Sequence, residues 1–352
     1  MLRFALVGCG RIAQRHAHLL GTGEIEGATL AGVCDVDEER ARTLAEQYGV
    51  PFFTDMKVMA DQLDPGAFSV LTPSGHHAQH VLALAPYGKP LVVEKPMALT
   101  LIDADAMIQA CDRHGSPLFV VKQNRFNVPV LKLREALEGG RFGRLVMGTV
   151  RVRWCRRQPY YDQDAWRGTW RLDGGVLANQ ASHHIDLLEW MLGDVVSVVA
   201  KSRTALATIE AEDTAVAILK FASGALGVVE ATTATRPKDL EGSLSILGET
   251  GSVVIGGFAV NEITSWAFED ELPEDVQVRQ EFSVNPPDVY GFGHRAYYQN
   301  IVDALSRGES ALVDGHQGRR SLELISSIYE SIETGAEVVL PPVVKKARLG
   351  VA

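Results

Sequence analysis

The chain has no apolar run approaching the roughly 18–20 residues that span a bilayer, and no internal repeat or low-complexity linker. Any domain boundary must therefore be read from a change of pattern, not from a spacer. Cysteine is scarce: Cys9, Cys34, Cys111 and Cys155 are scattered, with no CxxC spacing. That excludes a disulfide framework or a cysteine zinc site and fits reduced thiols in a cytoplasmic protein. Positive charge is also short, with 34 Lys and Arg against 44 Asp and Glu, a net charge of −10. General nucleic-acid binding is not expected from such a chain. A small anionic ligand stays open, because it answers to local charge. The opening MLRFALVG enters an apolar strand at once, without the apolar region and cleavage site of a signal peptide.

What is present is ordinary for a soluble globular protein: 46% hydrophobic and 22% charged residues in a length of 352 that suits two domains. The first 122 residues alternate strand-like and helix-like segments. RFALVGC, TLAGVCD, FSVLTP, PLVVEK and PLFVVKQN read as strands. RIAQRHAHLL, DEERARTLAEQYG, HHAQHVLALAPYG and LIDADAMIQACDRHG read as the helices between them. Asp37 is a candidate N-cap and Gly49 a candidate stop. Continuous apolar strands alternating with helices imply a doubly wound parallel sheet. After residue 123 the pattern changes. A helix from Val130 to Glu138 precedes LVMGTVRVRWC, VVSVVAKSRTAL, EDTAVAILKFA, ALGVVEATTA, GSLSILGETGSVVIGG and NEITSWAFE. These β-rich runs imply a large, mostly antiparallel sheet, broken by a helix near Asp186–Leu192. Two late helices are expected, around Arg295–Leu305 and Gly318–Ser331. The expected division is an α/β Rossmann domain at 1–122, an α+β substrate-binding and oligomerisation domain at 123–340 and a tail at 341–352, an edge segment or frayed end.

LVGCGRIAQRH holds Gly8-x-Gly10-x-x-Ala13 between a strand and a helix, the context a dinucleotide-binding loop requires. Gly8 permits the tight turn and Gly10 lets a pyrophosphate approach. Arg11 and Ile12 open the helix, whose N-terminus offers N–H groups. Asp35 ends the second strand, 22 residues beyond Ala13. A carboxylate there accepts ribose hydroxyls and repels a 2′-phosphate, so NAD is expected over NADP. Arg40 keeps some NADP tolerance open.

In such a sheet, ligands bind beyond the carboxyl ends of the strands. Three strand ends carry polar groups there: Thr72 and Pro73, Glu94 and Lys95, and Lys122, Gln123 and Asn124. Lys95 precedes Pro96 and is pushed toward an extended backbone; the sequence leaves the isomer of that bond open. A partly desolvated lysine beside a cationic nicotinamide is suited to take a hydroxyl proton. The alternative is a surface Glu-Lys pair.

EKP after a Rossmann strand, with the upstream GxGxxA, resembles the Gfo/Idh/MocA oxidoreductase family over nearly the whole chain. The family's second motif, a glycine pair followed by Asp and then HxxD, matches Gly174-Gly175, Asn179 and His183 to Asp186. The resemblance implies that His183 is catalytic. Asn179 replaces the usual acid, and an amide cannot serve as a carboxylate base. It can orient a sugar hydroxyl, so the proton chemistry falls to Lys95 and His183. The blocks FALVGCGRIA, LFVVKQNR, YYD…WRGTW, DGG…NQASHHIDLL, EAEDT, LEGSLSILGE and VYGFGH are similar to those of the family's UDP-N-acetylglucosaminuronate 3-dehydrogenases, the WlbA/WbpB type. This resemblance implies oxidation of a UDP-sugar acid for 2,3-diamino sugars of O-antigen lipopolysaccharide. 2-Oxoglutarate reoxidises NADH in part of that group, and the assembly would be a homodimer or homotetramer. It also makes His77 a neighbour of the cofactor loop and places Gln123 and Trp166-Arg167 near the nicotinamide or substrate. The alternatives are a dehydrogenase of inositol or another sugar, and a silent NAD-binding sensor.

A UDP-sugar acid needs positive charge. Arg151, Arg153, Arg156, Arg157, Arg167 and Arg171 fall within 21 residues, interleaved with Trp154, Tyr160, Tyr161, Trp166 and Trp170. Guanidinium groups match phosphate and carboxylate, and aromatic faces stack on a base or sugar. Arg151 and Arg153, at period two, belong mostly to the face of a strand. Lys122, Asn124, Arg125, Tyr160, Tyr161, Asn179, Gln180, Tyr290 and His294 complete the substrate candidates, with Tyr297 beside the last of them. A histidine in the position of His294 is commonly an exposed helix-end residue. His76-His77-x-x-His80 and His183-His184-x-Asp186 lack a metal ligand pattern, and no metal is expected.

Overall fold

The computed structural model describes residues 1–283, 286, 291–342 and 347–351; the candidate Tyr290 lies outside them. The chain forms two compact units, one of residues 1–121 and 294–322, the other of 122–293 and 323–352.

The first unit is built on β1 (Leu2–Val7), α1 (Arg11–Gly21), β2 (Ala28–Cys34), α2 (Glu38–Tyr48), β3 (Phe52–Phe53), α3 (Met56–Leu63), β4 (Ala67–Val70), α4 (His77–Leu84), β5 (Leu91–Val93), α5 (Leu101–His114) and β6 (Leu118–Val120). The six strands are all parallel, in the order β3-β2-β1-β4-β5-β6. The reversal between β1 and β4 opens a crevice at their carboxyl ends, where the glycine loop lies. The central strands are buried on both sides, which explains their mostly apolar runs. Asp37 caps α2 by accepting from Glu39 N and Arg40 N, and Gly49 ends it in a left-handed conformation. β3 and α3 are too short to have shown in the periodicity.

The second unit contains α6 (Val128–Glu138), β7 (Leu145–Arg153), α7 (Gln158–Tyr161), α8 (Ser182–Leu192), β8 (Val195–Arg203), β9 (Thr214–Phe221), β10 (Leu226–Thr232), β11 (Glu241–Gly248), β12 (Gly251–Gly256), β13 (Glu262–Phe268) and α9 (Asp275–Glu281). After α10 (Gly293–Arg307) and α11 (Gly315–Thr334), β14 (Val338–Val339) closes the sheet. Its order is β13-β12-β11-β7-β10-β9-β8-β14. Every pairing is antiparallel except β7 with β10. α8 covers one face: a Cβ on Gly148 of β7 would strike Leu188 and Leu192. That helix starts earlier than its apolar pattern implied, because the polar Ser182, His183 and His184 are buried in its first turn.

α10 departs from the expected plan. From His294 onward it clusters with the first unit, as does the chain to Leu322. β14 pairs with β8 at the sheet edge, and in the tail that follows Leu349 is buried and Arg348 lies over Trp170. No helix among the described residues is long and apolar enough to cross a membrane.

Candidate functional site

Gly8 has a φ of +99°, and a Cβ on it would stand 2.9 Å from the backbone of Leu71 and Thr72. Only glycine lets β1 turn so close to the end of β4. A Cβ on Gly10 would meet nothing within 4 Å, so that side of the loop is open. No side chain caps α1, whereas Asp37 and Asp55 cap α2 and α3. An open glycine loop leading to uncapped N–H groups fits a dinucleotide pyrophosphate. Asp35 stands at the rim of this loop. One of its carboxylate oxygens accepts from Cys9 N at 2.7 Å and the other from Asp37 N at 2.9 Å. Arg40, which could have met a 2′-phosphate, pairs instead with Asp37 at 3.3 Å.

The Lys95–Pro96 bond is cis. Glu94 is buried and accepts the Lys95 backbone N–H at 2.9 Å. Its other oxygen lies 3.0 Å from His16 Nε2 and 3.9 Å from His294 Nε2. His16 Nδ1 is 2.6 Å from the Tyr298 hydroxyl, which is 2.9 Å from Ser69 Oγ. Burial raises the Glu94 carboxyl, but the hydrogen bonds and attraction of His16 and His294 bring it well below the usual carboxylate range. His294 is therefore no exposed helix-end residue: it is 1% exposed. The His16, Glu94 and His294 ligand atoms lie within 4.8 Å of one another. His77 is likewise sealed, with its two ring nitrogens 2.8 Å from Pro96 O and 2.7 Å from Thr72 O. It braces the Lys95–Pro96 turn against the end of β4. Burial holds its pKa below the ordinary value despite both carbonyls.

In the second unit, Lys122, Gln123, Asn124 and Arg125 are all buried. Arg125 grips Asp186 with two 2.8 Å hydrogen bonds and lies over Trp190, while Lys122 Nζ is 3.6 Å from the same carboxylate. Burial raises the Asp186 carboxyl; Arg125 and Lys122 outweigh it and bring it below its ordinary value. Burial lowers the pKa of Lys122, with Asp186 opposing. The charges expected to meet a sugar acid are thus engaged inside the protein.

The arginine-rich stretch divides as its spacing implied. Arg153 pairs with Glu230 and Glu241 on the sheet face. Beyond it two guanidinium groups lie over the Tyr160 ring, Arg156 at 5.5 Å and Arg167 at 4.6 Å, and Arg167 also lies over Trp166. The Tyr160 hydroxyl accepts from Arg167 at 2.9 Å and Gln180 at 3.4 Å. Three candidates, Tyr160, Arg167 and Gln180, meet there. Tyr161 turns inward instead: its hydroxyl is 2.8 Å from Thr233 Oγ1, and burial pushes it up to about 12.

Two residues that pattern did not single out hold the segment carrying Asn179 and His183. Asp173 accepts from the Asn179 side-chain amide and from Gly168 N. Glu212 accepts from Leu177 N at 3.0 Å and the Tyr329 hydroxyl at 2.9 Å, and a Cβ on Gly175 would overlap its carboxyl. The only local signal of either is an acid flanking a glycine pair or a strand. His183 is 7% exposed in the first turn of α8, and neighbouring His184, fully enclosed, has its ring edge on Trp154.

Two family models match the chain. Residues 2–122 match the NAD-binding Rossmann fold of the Gfo/Idh/MocA oxidoreductase family, and residues 134–340 match that family's C-terminal α/β domain. The chain belongs to this family. It is an NAD-dependent oxidoreductase, and the open glycine loop, Asp35 and uncapped α1 are the features that fit the cofactor. Among solved structures, it resembles the WlbA dehydrogenase from Bordetella pertussis in complex with NADH and UDP-GlcNAcA. That likeness has 41% identity and a TM-score of 0.90 and covers 97% of this chain and 98% of that one. The corresponding Chromobacterium violaceum complex gives 43% identity and a TM-score of 0.89 over 97% and 96%. Among characterised enzymes, a D-apiose dehydrogenase of Paraburkholderia graminis is 31% identical over 239 residues, 66% of this chain and 60% of that enzyme.

Proposed function

We propose that this family member oxidises the 3-hydroxyl of UDP-N-acetylglucosaminuronic acid to the 3-keto sugar, in the making of 2,3-diamino sugars for O-antigen lipopolysaccharide. The supporting observation is the likeness to two WlbA dehydrogenases solved with NADH and UDP-GlcNAcA, over 97% of the chain at 41% and 43% identity. Bound NAD would accept the hydride. Gly8, Gly10, Arg11, Ile12, Asp35, Thr72 and Pro73 would hold it, with His77 and Glu94 bracing the turn that carries Lys95. Lys95 and His183 would share the hydroxyl proton, and Asn179 would orient the sugar. The Tyr160, Arg167 and Gln180 cluster offers cationic, aromatic and amide groups together, as a UDP-sugar acid requires. In this reading residues 1–122 serve the cofactor, 123–340 the substrate and subunit contacts, save 294–322, which cluster with the first unit, and 341–352 form a tail.

The protein would work in the cytoplasm as a homodimer or homotetramer. On the sheet face opposite α8, Val199, Ile218 and Val228 stand in one cross-strand row, and Val199 and Ile218 are exposed. Light scattering that finds a monomer would overturn that part.

The test of the reaction is incubation with UDP-N-acetylglucosaminuronic acid, with and without 2-oxoglutarate, followed by mass spectrometry. A product two mass units lighter is expected, with more turnovers if 2-oxoglutarate recycles NADH. The likeness to D-apiose dehydrogenase supports a second reading, oxidation of free sugars. Turnover of those with none of the UDP-sugar would replace the first reading with the second.

A further inference from the structure

We propose that Asp173 is a positioning residue that fixes the Asn179 amide with its nitrogen inward, making Asn179 a hydrogen-bond acceptor toward a sugar hydroxyl. This rests on the reading above that Asn179 orients the sugar. The two ends of an amide have nearly the same shape, so hydrogen bonding decides which end points where. Here Asp173 acts on the nitrogen end. Asp173 is 3% exposed, and each of its carboxylate oxygens takes an N–H, one from Asn179 Nδ2 and one from Gly168 N at 2.8 Å. Turning the amide over would set its carbonyl oxygen against a carboxylate oxygen. A charge-assisted hydrogen bond would become an acceptor–acceptor contact, with little water to screen it.

The carboxylate is itself held in place. The Asp173 backbone N–H bonds Thr169 O at 3.1 Å, and Gly168 follows Arg167, which bonds the Tyr160 hydroxyl. Asp173 thus ties the loop of Trp166 to Gly168 to the segment of Asn179 and Gln180. Asn179 is only half-buried. An acceptor in that place recognises an alcohol, which donates, over a ketone or a deoxy carbon, which cannot. The same pairing that orients the sugar therefore distinguishes the reduced ring position from its oxidised form.

The experiment is an exchange of the two side chains: Asp173→Asn, Asn179→Asp and the double variant. Each is measured for kcat/KM with UDP-N-acetylglucosaminuronic acid and for Tm between pH 5 and 8 without substrate. Asp173→Asn should lower kcat/KM about tenfold, since an amide pair no longer enforces one orientation. Asn179→Asp sets two carboxylates face to face. Its Tm should fall with rising pH relative to wild type, and its kcat/KM should acquire a new ionisation. The double variant again has one amide donor and one carboxylate. It should recover kcat/KM to within about threefold of wild type and lose the extra pH dependence of Tm. A double variant no better than the product of the two single effects would overturn the proposal. So would wild-type kcat/KM in Asp173→Asn, or recovery of Tm without recovery of kcat/KM. If the wild-type enzyme turns over no UDP-sugar, the functional reading has failed. The substrate-free Tm exchange then still decides the amide's orientation.

Discussion

Glu94 in the first unit and Glu212 in the second are both sealed from water, yet their carboxyls move in opposite directions. Burial raises both. At Glu94 it is overcome by His16 and His294, and the net position is well below the usual range. At Glu212 the backbone N–H of Leu177 and the Tyr329 hydroxyl oppose burial without cancelling it, and nearby Asp173 adds to the rise, leaving the group at about 7. Enclosure alone does not set the charge of a buried acid. What decides is whether ring N–H donors and cations surround it or only neutral dipoles. Asp186 sides with Glu94, since Arg125 and Lys122 hold it ionised.

The severest way to break the comparison is to remove the cation from Asp186. Arg125→Ala leaves a buried carboxylate with Lys122 at 3.6 Å and should cost about 3–5 kcal/mol in urea unfolding at pH 7. A loss under about 1 kcal/mol would mean that Asp186 does not depend on the guanidinium.

Next is the pH dependence caused by Glu212. Its folded pKa lies above its ordinary one, so its contribution to stability is complete below pH 4.5. It drains away as pH rises to about 7, then stays flat. The interval is about 2.5 units, and at 1.36 kcal/mol per unit the total is about 3 kcal/mol. Glu212→Gln should lack that slope, so wild-type-minus-variant curves measured between pH 4 and 8 should carry it alone. A flat difference curve would place the titration elsewhere.

His16→Leu tests the other side. It should cost about 2 kcal/mol at pH 7, where ionised Glu94 loses its donor. Glu94's folded pKa is depressed, so the lost contribution is one present above pH 4.5. The gap from wild type should therefore narrow in acid as Glu94 protonates. Smallest is His184→Phe. Neither ring nitrogen of His184 has a hydrogen-bond partner among the described residues, and burial pulls its pKa down to about 3. An apolar ring that keeps the Trp154 contact should gain about 1 kcal/mol, measured as a rise in Tm.

The same contrast separates what the sequence reveals from what it conceals. The parallel sheet was legible because β1, β4 and β5 are mostly apolar runs, broken only by Arg3 and Ser69, and the α2 boundaries because Asp37 and Gly49 are local signals. The glycine loop was legible for the same reason. The fate of individual polar side chains was not. Glu94 and Lys95 are adjacent, yet the partners that govern Glu94 come from α1 and from α10, about two hundred residues later. Arg125 read as a substrate residue because its tie to Asp186 crosses 61 positions. Asp173 stood in the DGG block with no role assigned, because its role depends on an amide six residues on and a backbone N–H five residues back.

The return of α10 to the first unit bears on how the protein is made. When residue 121 leaves the ribosome, Ser69, His16 and Glu94 are all present, but Tyr298 and His294 are still untranslated. At about 5–20 residues per second, they follow roughly 10–35 s later. Until then the nascent first unit holds a half-formed polar core, which gives a chaperone an interval in which to bind.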